Sequence, residues 1–229
     1  MQHANIKHSF SSSTLIRLLA GIAGQAERAE PGAQPQRSHR PQGSPPGLAA
    51  GLGAWLDWTQ AIALSAVLGD GLAAVPRWRG AESAVFRSAF QAVQRVREEH
   101  RQAIRTDAVL AQAQAADFEP CRRRALAHQR AMATATATLR AQLRAALAGA
   151  SPAGARLAAL DGVMATALAP REAQLLAGVI GRLEGLEPID RGRTVQAVLL
   201  AELETRLQPA EGLLAALGDA APDGRGAPT

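Results

Sequence analysis

The sequence contains one cysteine, Cys121, among its 229 residues, so the chain cannot form an intramolecular disulfide bond. It also lacks tyrosine, and aromatic residues make up only 3% of the chain. Strand-favouring aromatic and β-branched residues are therefore scarce, whereas alanine and leucine, which favour helices, dominate the 47% that is hydrophobic. These shortages exclude a disulfide-stabilised fold, disfavour a β-sheet and predict an all-α protein.

Lysine is nearly absent as well, because Lys7 is the only one and the other 24 cations are arginines. The isoelectric point near 11 follows from the arginines, which stay protonated, since the net charge is only +5. The segment from Arg77 to Arg130 holds 11 arginines and 6 acids, whereas the chain from Ala146 onward holds 7 arginines and 10 acids. This asymmetry predicts a basic middle segment that can face acidic partners.

Long uncharged apolar runs are missing too. The most apolar stretch, residues 47–69, contains Asp57 near its centre, where an acid is costly in lipid. We interpret this stretch as a buried helix and expect no membrane span. Arg17 interrupts the apolar stretch 14–24, which argues against a secretory signal. With a single cysteine, these features predict a cytoplasmic protein.

Proline and glycine divide the chain into four parts. Residues 1–26 are predicted to form an N-terminal arm with one amphipathic helix. Residues 27–47 contain five prolines and are predicted to be a disordered linker. Residues 48–217 are expected to form the helical domain, and residues 218–229 a disordered tail.

Apolar residues repeat at threefold and fourfold spacing through residues 48–217, which predicts amphipathic helices. The first covers residues 48–69, unless Asp57 and Gln60 cap a second, shorter helix there. The others are expected at 81–116, with a break at Thr106–Asp107, and at 120–148, 152–168, 171–186 and 195–217. Pro170 separates two of them, and Pro209 either kinks the last helix or starts a new one. The predicted fold is an antiparallel bundle of five to seven helices with a tethered N-terminal arm.

Three Ala/Leu-rich segments resemble a bacterial family of all-helical proteins of unknown function from high-GC genomes. They read GAWLDWTQAIALSAVL at 53–68, LRAQLRAALAGASPAGARLAALDGVM at 139–164 and LLAELETRLQPAEGLLAAL at 199–217. The resemblance implies an all-helical fold but no activity and no site residues. It also implies that relatives are encoded near cell-envelope proteins of motor or peptidoglycan-binding type, which favours a cytoplasmic adaptor role.

The sequence offers little for catalysis or for cofactors. It has no glycine-rich loop with a lysine, and neither His100 nor His128 follows a glutamate at the spacing of a di-iron site. We therefore expect no metal and no cofactor. The one candidate nucleophile is Cys121, whose position at a helix start beside three arginines is typical of a lowered thiol pKa, although the favoured interpretation is a structural thiol. His128 lies two helical turns further on, about 10 Å away along the axis, which is too far to activate the thiol.

The candidate binding site is the run Arg122, Arg123 and Arg124. Three cations at a helix N-terminus oppose the helix dipole, so they cost stability unless anions offset them. In one interpretation, Asp117 and Glu119 screen the arginines. In the other, the arginines bind phosphate or an acidic partner surface.

The function expected from the sequence is non-catalytic protein–protein interaction by an adaptor, accessory to a cell-envelope system, with self-association through Ala/Leu-rich helix faces as a further expectation. The alternative is an arginine-rich protein that binds nucleic acid or an acidic partner. Interspersed acids and few aromatic residues for base stacking disfavour nucleic acid. The sequence predicts no enzyme.

Overall fold

The computed structural model describes residues 62, 64–67, 84–111, 117–185 and 188–220. This part is helical and contains no strand, which confirms the predicted all-α class. The helices are α1 (Ala84–Arg105), α2 (Ala108–Ala111), α3 (Glu119–Ala150), α4 (Pro152–Arg182) and α5 (Pro188–Ala220), with a 3-10 turn at Leu183–Gly185. No helix in the described ranges is long and apolar enough to cross a membrane.

Several predictions about the N-terminal third lie outside the described residues. They are the arm at 1–26, the linker at 27–47 and the effect of Asp57 on the helix at 48–69. Residues 62 and 64–67, which belong to that last helix, are helical. At the other end, α5 continues to Ala220, beyond the predicted start of the tail at Gly218.

The junction between α3 and α4 forms as the sequence predicts. Ser151 has extended backbone, and its Oγ accepts a hydrogen bond of 2.9 Å from the backbone N–H of Gly154. Pro152 follows in the first turn, where its missing N–H costs nothing. This cap lets two helices of 32 and 31 residues meet at one residue, Ser151.

Two prolines lie inside helices rather than at their ends. The prediction that Pro170 separates two helices is wrong, since α4 runs through it, and α5 likewise runs through Pro209. A proline inside a helix removes one hydrogen bond and crowds the carbonyl four residues earlier. Pro170 is exposed, so water can satisfy the carbonyl that it releases.

Contacts between side chains fix the directions of the helices. Phe86 in α1 lies beside Gly218, whereas Ile104 accepts a hydrogen bond of 3.2 Å from Gln196, so α1 and α5 run in opposite directions. Phe118 lies under the guanidinium of Arg191, and further along Gln129 bonds Glu202. Helices α3 and α5 therefore run in the same direction.

Helix α4 packs along α3 and runs in the opposite direction. Asp161 accepts hydrogen bonds from Arg140 at 2.6 Å and from Arg144 at 2.8 Å, and Gln129 bonds the backbone carbonyl of Leu176 at 3.1 Å. Helices α1 and α4 thus flank the pair formed by α3 and α5. The core lies among these helices and includes Val93, Ile104, Leu110, Met132, Leu143, Leu199, Leu203 and Leu207.

Gly154 allows the close approach of α3 and α4, because a Cβ atom at this position would overlap the backbone carbonyl oxygen of Leu147. We expect Gly154→Ala to lower the free energy of unfolding by about 1–3 kcal/mol through overpacking. Gly149→Ala is the control, since its Cβ would meet nothing within 4 Å, and it should gain about 0.5–1 kcal/mol of helix stability. Urea denaturation measures both, and equal effects of the two substitutions would contradict this account.

Candidate functional site

The three arginines of the predicted site lie in the first turns of α3, and the first two point to Glu119. Arg122 donates to the Glu119 carboxylate from Nε at 2.6 Å and from Nη2 at 2.9 Å, while Arg123 lies 3.8 Å from it. The hydrogen bonds from Arg122 lower the pKa of Glu119. An acid in the first turn thus offsets the unfavourable effect of the arginines on the helix dipole.

Arg124 points elsewhere, because consecutive helical residues are about 100° apart around the axis. Its Nε donates to Oδ2 of Asp107, which precedes α2. The structure therefore does not bring the three guanidinium groups to one common carboxylate. Arg123 is the most exposed of the three, at 71% of its side chain.

Asp107 organises a polar cluster at this end of the bundle. Its Oδ1 accepts hydrogen bonds from the backbone N–H groups of Val109 at 3.0 Å and Leu110 at 3.2 Å, so it caps α2. Its Oδ2 accepts from Arg124 and from Nε2 of His128 at 2.8 Å. Because an ionised carboxylate only accepts hydrogen bonds, Nε2 of His128 is the donor in this contact.

The Asp107 side chain is 2% exposed, yet it favours the ionised form. Burial acts to raise its pKa, but the hydrogen bonds from Arg124, His128 and the Leu110 backbone together lower the pKa below its ordinary value. Both carboxylate oxygens are already occupied. Asp107, Arg124 and His128 therefore form a structural cluster that joins α2 to α3, which we call the latch. A carboxylate with both oxygens occupied is poorly placed to act as a general base.

Cys121 lies one turn before Arg124 and is buried. Burial raises the pKa of its thiol, and the nearby positive charge of Arg191 opposes this only in part. The helix start and the three arginines therefore do not lower the thiol pKa, because they do not offset the loss of hydration.

We expect the Cys121 thiol to react with a maleimide or a disulfide reagent at pH 8 about tenfold or more slowly in the folded chain than in urea, because both burial and a raised pKa suppress the thiolate. Timed alkylation followed by mass measurement gives the two rates. Equal rates in the two states would show that the thiol is accessible and reactive.

No group of three or more His, Cys, Asp or Glu side chains within the described ranges is placed to hold a metal ion. His100 is half-buried, and burial lowers its pKa while the charge of Glu99 opposes that shift.

A second feature, which the sequence did not indicate, is a crevice along α4. One cavity of about 610 Å³ lies among α3, α4 and α5, and another of about 740 Å³ lies between α4 and α5. Glu172, Thr205 and Arg206 line both cavities. The ion pair between Arg206 and Glu172, at 3.0 Å, thus marks the boundary between them.

The crevice is built on a buried glutamate. Glu202 has no exposed surface, and its carboxylate accepts hydrogen bonds from Nε of Arg206 and from Nε2 of Gln129, each at 2.7 Å. Burial raises the pKa of Glu202, and the hydrogen bonds from Arg206 and Gln129 oppose this shift in part. The same arginine then reaches Glu172 across the crevice, so Glu202 positions the bridge between α5 and α4.

The sequence contained a signal for this network. Glu202 lies at helical spacing from Val195, Val198 and Leu199, so it falls on the buried face of α5. Gln129 falls in the same way between Ala125 and Met132 on α3. A polar residue at an apolar position of a helix is expected to need a buried partner, and these two are each other's partner.

A family model described as "Protein of unknown function (DUF3348)" matches residues 1–186 and 191–219. The chain belongs to this family. The DUF3348 match agrees with the resemblance of the Ala/Leu-rich segments to an all-helical family without an assigned activity, and it carries no catalytic or binding residues. Comparisons with curated proteins and with solved structures gave no match.

Proposed function

We propose that this DUF3348 chain is a non-catalytic adaptor that binds a helix of another protein in the crevice between α4 and α5. The observation that supports this is the incomplete burial of α4. Four large apolar side chains of α4 that line the two cavities are half-buried or exposed: Met164, Leu168, Leu175 and Leu176. Leu175 is the most exposed large apolar residue in the described ranges, at 62%.

A soluble domain gains stability by burying the apolar face of each helix, so an open apolar face beside a cavity is typical of an interaction site. A groove between two helices is the usual receptor for an amphipathic helix, whose side chains enter at positions i, i+4 and i+7. The dimensions fit, because the cavity between α4 and α5 follows α4 from Arg171 to Arg182. That distance is about 16 Å at 1.5 Å per residue, enough for about three turns of a bound helix.

The cytoplasmic location and the link to a cell-envelope system are part of this proposal. They rest on the family resemblance and on the single cysteine. A cytoplasmic helix of an envelope protein is the kind of partner that such an adaptor would hold.

Leu175→Asp tests the proposal. A charge at the mouth of the crevice should weaken binding of a purified partner at least tenfold in calorimetry, since it places a carboxylate against apolar partner side chains. The partner is identified first as a chain that co-purifies with the unmodified protein. The control is Val85→Asp on α1, which changes a residue of similar exposure, 55%, away from the crevice. Equal binding by both variants would refute the site.

A second candidate function is binding of nucleic acid or of an acidic partner by Arg122, Arg123 and Arg124. The exposure of Arg123 supports it, while the pairing of Arg122 with Glu119 and of Arg124 with Asp107 reduces the positive charge that a polyanion would meet. Fluorescent DNA duplexes and single strands at low salt provide the test. Binding that falls steeply with salt and is lost in Arg123→Glu would support this function.

A further inference from the structure

The walls of the crevice carry more positive than negative charge. The residues that line its two cavities include five arginines and three acids: Arg140, Arg144, Arg171, Arg182, Arg206, Asp161, Glu172 and Glu202. All three acids are already engaged within the chain, Asp161 by Arg140 and Arg144, and the two glutamates by Arg206. The lining therefore carries a formal excess of positive charge, and its carboxylates all have partners within the chain.

The positive charge has a regular arrangement on α4. Arg171, Leu175, Gly178 and Arg182 are spaced at i, i+4, i+7 and i+11, so they form one stripe along the helix. All four are exposed. The two arginines are about 16 Å apart along the axis, at 1.5 Å per residue. Between them lie the exposed leucine and a glycine whose missing Cβ leaves open space.

This stripe is complementary to a particular kind of helix. A glycine next to an exposed leucine lets a second helix approach closely, and the partner's apolar residues can then cover Leu175 and fill the cavity behind it. The arginines at the two ends of the stripe would lie opposite the two ends of the bound segment. Carboxylates at those positions would form charge-assisted hydrogen bonds with them.

We infer that the crevice selects an acidic amphipathic helix, one that presents leucine-type residues between two carboxylates about three turns apart, opposite Arg171 and Arg182. The inference rests on the proposed function, because it names the chemistry of the partner that the crevice would bind.

Charge argues against two other occupants. Residues 1–26 of the chain contain Lys7 and Arg17 and no acid, so the basic arm would be repelled by the stripe. A second copy that packed its own α4 against this one in a two-fold arrangement would place arginine opposite arginine. An acidic helix of another protein would not be repelled by the arginines of the stripe.

The test uses three fluorescent 18-residue helical peptides with the same leucine face, which differ only at two positions eleven residues apart. These positions hold glutamate in one peptide, glutamine in the second and lysine in the third. In anisotropy titrations with the full chain, the glutamate peptide should bind about three- to tenfold more tightly than the glutamine peptide, as expected for two partly exposed ion pairs, and the lysine peptide should bind most weakly. The preference should shrink as salt rises.

Arg182→Glu should remove the preference for the glutamate peptide and improve binding of the lysine peptide. Arg193→Glu is the matched control, because it makes the same change at an exposed position on α5 that does not line the crevice. An unchanged preference in Arg182→Glu overturns the inference.

Other outcomes separate the two proposals. If all three peptides bind equally and Leu175→Asp abolishes binding, the charge selection is wrong and the helix-binding function is supported. If no peptide binds, the inference is overturned, and the function then stands or falls with the Leu175→Asp result on the purified partner. A monomer–dimer equilibrium in sedimentation that Leu175→Asp abolishes would assign the stripe to a second copy and also overturn the inference.

Discussion

Asp107→Ala is expected to lower the free energy of unfolding by about 3–5 kcal/mol, among the largest effects of any single substitution in this chain. The substitution removes the cap of α2 and leaves buried His128 and the Arg124 guanidinium without their shared acceptor. It thus combines the loss of a helix cap, which costs about 0.5–2 kcal/mol, with an unpaired buried polar group, which costs about 1–3 kcal/mol. Urea denaturation followed by circular dichroism measures the change.

Asp219→Ala provides the control, since Asp219 is an exposed acid near the C-terminal end of α5 and its replacement should stay within about 0.5 kcal/mol of the unmodified chain. Asp107→Asn should fall between the two, because an amide oxygen can still cap α2 but the charge is gone. A loss below about 1 kcal/mol for Asp107→Ala would mean that the latch contributes little to the fold.

The latch also predicts a dependence on acid. Folding lowers the pKa of Asp107, so its contribution is present above its ordinary value of 3.8 and is lost as the pH falls through the lower folded pKa. The unmodified chain should therefore lose stability below pH 3.8 more steeply than Asp107→Asn. Thermal melts of the two proteins between pH 2 and 5 would show the difference.

Glu202→Ala is expected to cost about 3–5 kcal/mol, the second of the largest effects. The carboxylate is fully buried, and its removal deprives Gln129 and Arg206 of the acceptor that they share in the interior. It also releases Arg206 from its position beside Glu172, so helix binding in the crevice should weaken in parallel. Denaturant titration gives the stability, and calorimetry with the partner gives the second effect.

Glu204→Ala is the matched control for Glu202→Ala. Glu204 lies two residues further along α5 and forms ion pairs with Arg97 and Arg101, but its side chain is 45% exposed. Half-exposed pairs contribute about 0–1 kcal/mol, so this substitution should be mild. Similar losses for the two glutamates would contradict the role given to burial.

The titration of Glu202 should also change the stability of the chain with pH, in the direction opposite to that of Asp107. Burial favours its protonated form and raises its pKa, so its contribution is full below the ordinary value of 4.5 and is lost as the pH rises through the higher folded pKa. Glu202→Gln cannot titrate. The stability of the unmodified chain relative to this variant should therefore fall as the pH rises above 4.5.

Local signals in the sequence predicted the helices well where interactions between neighbouring residues determine a helix end. Ser151 followed by Pro152 fixed a helix start, because a hydroxyl cap and a proline in the first turn act through neighbouring atoms. The prediction that Pro170 ends a helix failed because contacts between helices outweigh its local cost. The contacts of α4 with α3 on both sides of the proline, through Asp161 and Leu176, hold the helix together.

The candidate site was harder to predict, because its residues meet across large separations in sequence. Asp107 and His128 are 21 residues apart, and Gln129 and Glu202 are 73 apart. The apolar periodicity of a helix indicates which positions are buried, but it does not indicate which residues of other helices contact the polar side chains there. The arginine run was recognisable in the sequence. Asp107, which accepts a hydrogen bond from Arg124, lies 17 residues earlier, at a predicted break between helices.

The opposed directions of α1 and α5 have a consequence for biosynthesis. Phe86, near the start of α1, is covered by the segment around Gly218, and Arg97 pairs with Glu211. A ribosome must therefore translate the chain through α5 before the start of α1 is covered. A nascent chain that stops at Arg206 would leave the start of α1, around Phe86, open to chaperones and proteases, so premature termination products of this protein should be short-lived in the cell.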